Sequence, residues 1–151
     1  MGEGRGWEKR AMGNINVGRV ILGGLLAGLV INIGESVLNL FVVAQGMDQA
    51  LKARNLPPVG GGAIAGFVLL AFLLGIATVW LYAAIRPRFG PGAGTAAMAG
   101  LAVWFFAYLY KGVGQDLMGF FPAGLTILTL VWGLVEILAG ALAGGWLYEE
   151  E

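Results

Sequence analysis

The chain has 151 residues, 58% of them hydrophobic, with nine basic and nine acidic side chains and a mean hydropathy of +0.81. Soluble domains rarely reach that hydropathy, so the class is integral membrane protein, and a net charge of zero offers no surface for nucleic acid. With neither histidine nor cysteine, the chain lacks the commonest general base, metal ligand and haem ligand, as well as thiolate chemistry and disulfides.

Residues 1–16 read as a cytoplasmic N-terminal segment carrying Arg5, Lys9 and Arg10. "MGEGRG" lacks the Ser or Thr at position 6 that a myristoylation signal needs, so no lipid anchor is expected. The first apolar run, 17–44, follows basic residues and ends in "VVA", a sequence like a leader cleavage site. It is nevertheless too long for a leader and contains Glu35, so a retained span is expected. "QGMDQALKARNLPPVGGG" then predicts a short interfacial helix around 47–54, with Asp48 and Lys52 paired one turn apart and Pro57 and Pro58 ending it.

The second span is expected at 62–85. "RPRFGPGAGT" follows as a turn, in which Pro87, Gly90, Pro91, Gly92 and Gly94 break the helix and permit a tight return. A third span at 94–111 and a fourth at 122–148 complete a transmembrane domain over 17–148, leaving 149–151 as an acidic tail. Each run approaches or exceeds the roughly 20 residues a helix needs to cross a bilayer. Open strands would leave backbone groups unsatisfied in lipid, which excludes them. The expected fold is therefore all-α: a polytopic membrane protein with four transmembrane helices in an antiparallel bundle.

With four spans, both termini and the 86–94 turn share one side. That side carries Arg5, Lys9, Arg10, Arg19, Arg86 and Arg88, against Lys52, Arg54 and Lys111 on the other, so both termini are expected in the cytoplasm. Arg86 and Arg88 are candidates for lipid head-group contact as well as topological anchors. "WFFAYLY" towards the end of the third span, and Trp80, Tyr82, Trp146 and Tyr148 at the other boundary, read as head-group belts; an aromatic wall facing a pigment, a quinone or another helix is the alternative.

Two spans carry polar stripes. At 100° per residue, Gly24, Gly28, Asn32, Glu35 and Asn39 share one face of the first span; Thr126, Thr129, Gly133, Glu136, Gly140 and Gly144 share one face of the fourth. Small residues four apart let helices approach closely, so both stripes are candidate packing seams, and the first and fourth spans are expected to meet or to face a common interior. Counting about 1.5 Å per residue from the outer boundary puts Glu35 roughly 12 Å deep, Asn32 17 Å and Glu136 20 Å, which makes Asn32 the expected partner of Glu136 and leaves Glu35 to Asn39 or water. Intramembrane acids mark ion or proton paths, yet the apolar residues of each span also suffice to carry one acid as structural glue.

Catalytic chemistry has little support. Ser36 is the sole serine and no histidine stands ready to activate it. "GVGQD" at 112–116 resembles the GxGD motif of intramembrane aspartyl proteases but has an extra residue before Asp116, and it is expected in a loop. No Walker A loop, dinucleotide fingerprint or zinc motif occurs, and no cofactor or metal is expected.

"INVGRVILGGLLAGLVINIGE", "WLYAAIRPRFGPG" and "LVWGLVEILAGALAGGWLYEE" together resemble a group of small, uncharacterised bacterial four-span membrane proteins. The resemblance implies a bacterial inner-membrane location and no particular activity. A glutamate in the first of four short helices is also similar to small multidrug resistance transporters, whose essential first-helix acid would correspond to Glu35. This chain is longer, adds an acid in its last span and lacks that family's aromatic motifs in the third helix. Two functional readings follow. One is a non-enzymatic accessory or scaffold subunit, surrounded by membrane lipids and packed against partner membrane subunits. The other is a small proton- or cation-coupled transporter, working as a homo-oligomer through Glu35 and Glu136.

Overall fold

A computed structural model describes residues 15–148. The flanking segments 1–14 and 149–151, with Arg5, Lys9, Arg10 and the acidic tail, lie outside the described residues. Those described form helices and no strand: α1 (Val17–Val42), α2 (Ala44–Lys52), α3 (Gly61–Phe89), α4 (Ala93–Leu117) and α5 (Ala123–Leu147). Four of them, α1, α3, α4 and α5, are long and apolar enough to cross a membrane. At 25 to 29 residues each, they extend roughly 38 to 44 Å, more than a hydrocarbon core of about 30 Å requires.

Two spans run past the bounds expected from hydropathy. The second continues to Phe89, with Pro87 inside its last turn. Gly90, at φ 84°, then ends it, and Gly92, at φ 129°, starts the return; both angles suit a residue without Cβ. The Gly92 N–H donates to the Tyr82 hydroxyl (3.2 Å), and the Thr95 hydroxyl donates to the Gly90 carbonyl (2.7 Å), so the turn's polar groups are met locally. The third span continues to Leu117, so "GVGQD" is helical, not a loop. The Thr126 hydroxyl donates to Asp116 (3.2 Å) and ties this extra turn to α5.

Neither α1 nor α4 is α-helical throughout. Leu38–Val42 and Phe105–Tyr110 are π-helical, and the Val43 N–H closes the first of these by donating to the Leu38 carbonyl five residues back (2.9 Å). A π turn inserts one residue into the ladder and is frequent at functional sites.

Close packing is made by glycine at helix crossings. Gly75 of α3 lies against the α1 backbone between the Gly24 carbonyl and Gly28, while Gly24 and Gly28 themselves abut Ile76 and Phe72. On its other side α1 uses Gly23 and Ala27, one residue out of step, against Gly144 and Gly140 of α5. Val20, Ala27, Val79, Tyr82, Ala83, Ala96, Ala99 and Tyr148 form the core of the half nearest the 90–92 turn. A second core around Ile31, Ala71 and Ile137 lies further along, flanked by Trp104 and Tyr108.

In the opposite half, α3 leaves the bundle. Its residues 61–70 are exposed apart from half-buried Gly66, and a Cβ at Gly61, Gly62 or Gly66 would meet nothing within 4 Å. On that side the short α2 starts at Ala44, directly after the first π turn, and its Lys52 pairs with Asp48 at 2.6 Å. Arg54 follows α2, donating to the Ala50 and Gly119 carbonyls and lying over the Phe120 ring, so it pins α2 to the loop between α4 and α5.

Candidate functional site

The most polar locus inside the bundle joins three helices through one hydroxyl. Tyr108, in the π turn of α4, donates to Glu136 Oε1 of α5 at 2.7 Å, and its oxygen lies 3.3 Å from Glu35 Oε1 of α1. Because both contacts end on the same hydroxyl, the two carboxyl oxygens stand within about 6 Å of each other. Glu136 is 4% exposed, and its Oε2 has no hydrogen-bond partner.

Local structure explains how the acids come to face Tyr108. A Cβ at Gly34 would collide with Glu136 Oε2 and approach its Cβ to 3.1 Å, so glycine here lets the carboxyl sit where it does against α1, and a larger residue would displace it. Trp132, one turn before Glu136, donates its indole N–H to the Gly34 carbonyl (3.1 Å), so Trp132 and Glu136 straddle the same residue. Gly133 gives the Tyr108 ring its seat, since any Cβ there would enter the ring. Trp104, one turn before Tyr108, donates to the Leu130 carbonyl (2.9 Å) and fixes α4 against α5.

The amide of Asn39 donates to Glu35 Oε2 (2.9 Å) and to the Glu35 carbonyl (2.8 Å). It thereby holds the carboxyl and caps a carbonyl at the start of the π turn. Asn32 does not partner Glu136: it donates to the Gly28 carbonyl (2.9 Å) and to Val68 of α3 (3.3 Å). Helix rise alone suggested that pairing, but α1 has a different neighbour on each side, and Asn32 turns toward α3 while Gly34 meets α5.

The remaining expected residues are spread along the packing lines. Gly24 and Gly28 serve α3, whereas Gly140 and Gly144 meet the Ala27 and Gly23 carbonyls of α1. Thr126 bonds Asp116, and Thr129 bonds the Thr126 carbonyl (2.9 Å) within its own helix. Arg86 and Arg88 lie at the far end, Arg86 with its guanidinium 5.5 Å from the Tyr148 ring centre. Tyr108 was hidden in the aromatic run "WFFAYLY"; its one distinguishing mark is a position a turn beyond Trp104.

The chemistry open to this locus is proton or cation binding. A tyrosine hydroxyl carries one proton and can donate to one carboxylate only. Two charged carboxylates no more than about 6 Å apart repel by at least roughly 3 kcal/mol at an effective dielectric of 20. No Lys or Arg falls in the described stretches of α1, α3 or α5 between the ends of the bundle, and Lys111 of α4 is exposed. The chain matches no family model, no curated protein and no solved structure.

Proposed function

We propose that this protein is a small proton- or cation-coupled membrane carrier, with Glu35 and Glu136 as its binding carboxyls and Tyr108 between them. The observation that carries the reading is the buried, unpartnered Glu136 Oε2 in an acid pair that has no basic residue beside it. Leaving a buried charge unpaired costs several kcal/mol, so a proton or a cation is the natural counter-charge. Intramembrane ionisable groups of this kind mark ion pathways. The proposed setting is a bacterial inner membrane, with an antiparallel bundle and both termini cytoplasmic, in accord with the excess of arginine at the 86–88 end.

The alternative, an accessory or scaffold subunit held by its glycine seams, has less behind it. Gly23, Gly24, Gly28, Gly75, Gly140 and Gly144 are occupied by helices of the same chain. What favours it is the exposed apolar half of α3, open for a partner subunit or a second copy.

Purified protein in sealed vesicles with an internal pH dye tests the carrier reading. Proton or sodium-coupled flux is expected from the natural chain, with Glu35→Gln and Glu136→Gln each reducing it to the level of empty vesicles while helicity by circular dichroism is retained. Equal flux in all three proteins would refute it.

A further inference from the structure

We propose that Tyr108 is a positioning residue that makes the junction between α1 and α4 conditional on a proton, so that loading Glu35 closes the end of the bundle nearest α2. The inference rests on the carrier reading for its purpose, but its geometry stands apart from it.

Hydrogen counting supplies the condition. The shorter contact, 2.7 Å, takes the Tyr108 proton to Glu136. What faces Glu35 is then the lone pairs of the phenolic oxygen at 3.3 Å. Between two acceptors a bond forms only if Glu35 brings a proton of its own. With that proton, Glu35 donates to Tyr108 and Tyr108 donates to Glu136, a continuous chain across α1, α4 and α5. Without it, carboxylate and phenolic oxygen repel.

No other charged group competes for this role. On α1, Asn39 donates to the Glu35 oxygen that points away from Tyr108. On α5 the titratable group that faces Glu35 is Glu136 itself, which accepts the Tyr108 hydrogen bond, and its neighbour Trp132 is engaged with Gly34. On α3, Tyr82, Arg86 and Arg88 lie about 15 Å or more along the helix beyond Phe72. Asp116 of α4 is bonded to Thr126, and Lys111 is exposed. Asp48 and Lys52 of α2 pair with each other. Among the described residues, the Tyr108–Glu35 contact is the one hydrogen-bonding link between α1 and α4.

Loss of that link has somewhere to go. The π turns Leu38–Val42 and Phe105–Tyr110 lie at the junction, one just after Glu35 and the other around Tyr108. Such turns are local departures from the α ladder, frequent at functional sites, and they leave both helices irregular at the point where the link is made. Beside them α3 is tied to α1 by the Asn32 bond to the Val68 carbonyl, and beyond it residues 61–67 are exposed apart from half-buried Gly66, with open space around Gly61, Gly62 and Gly66.

The absence of cysteine makes the test direct. Spin labels on Leu40→Cys in α1 and Leu117→Cys in α4, both on exposed positions, report the gap between the two helix ends in the full-length protein in nanodiscs across a pH series. The expected result is a distance change of at least about 2 Å on deprotonation. Glu35→Gln, whose amide supplies a donor at every pH, should hold the short distance throughout. Tyr108→Phe, which keeps the ring on Gly133, should hold the long one. A pH-dependent distance that survives Tyr108→Phe overturns the proposal, as does a natural chain with one distance at all pH. Flux without a distance change would refute this latch and leave the carrier reading standing. A latch without flux would do the opposite.

Discussion

Gly75→Ala is expected to be among the most damaging single-methyl additions in the chain. The added Cβ would sit 2.5 Å from the Gly24 carbonyl oxygen and 2.7 Å from the Gly28 Cα, so backbone faces it on both sides and no side chain can swing aside. The Gly28 backbone nitrogen is closer still, and ordinary contact begins near 3.4 Å, so α1 and α3 must part by about 1 Å along their crossing. A radial gap of 0.5–1 Å forfeits roughly a quarter to a half of each dispersion contact, and overpacking of this kind costs about 1–3 kcal/mol. Gly66→Ala on the same helix is the matched control, because its Cβ would meet nothing within 4 Å. There the helix-propensity gain of alanine, up to about 1 kcal/mol, should appear alone. The propensity gain is common to both variants, so unfolding in mixed micelles, followed by circular dichroism, should separate them by the overpacking cost alone, roughly 1–3 kcal/mol. A separation below about 0.5 kcal/mol would refute the claim that the α1–α3 crossing is a backbone-to-backbone contact.

Gly133→Ala drives a methyl into the Tyr108 ring and should displace the hydroxyl from Glu136. A misplacement of about 1 Å at a working site can cost up to a hundredfold in rate, so vesicle flux should fall at least tenfold while Gly124→Ala, where the space is open, leaves it unchanged. Asp48→Ala removes the i,i+4 partner of Lys52, a pair whose side chains are 48% and 73% exposed, and should shift micellar unfolding by no more than about 0.5 kcal/mol.

Hydropathy made the four spans legible, because a run of apolar residues long enough for a bilayer has few other uses. Where they end was less so. Lys111 looked like a boundary, yet the helix continues because Asp116 has Thr126 to bond on α5, a relation no single-helix pattern contains. The polar faces were legible one helix at a time. Gly24, Gly28, Asn32 and Glu35 do share an arc, but α1 lies between two neighbours, so the arc divides: the glycines and Asn32 serve α3, and Glu35 reaches Tyr108. The other packing line, Gly23 and Ala27, was in plain view one residue earlier and was masked by the glycines beside it. Tyr108 was the least legible, since its role comes from two acids on two other helices and from a π turn that offsets its direction from simple α periodicity.

The crossing at Gly75 also has a mechanical meaning. Beyond it, α3 is held again by Phe72 on Gly28 and by the Asn32 bond to the Val68 carbonyl, and its first seven residues, Gly61 to Phe67, form an arm of about 10 Å braced at one end only. A swing of about 10° about that last contact carries the tip through roughly 2 Å, so a small change in packing near Asn32 is delivered, magnified, at the membrane surface.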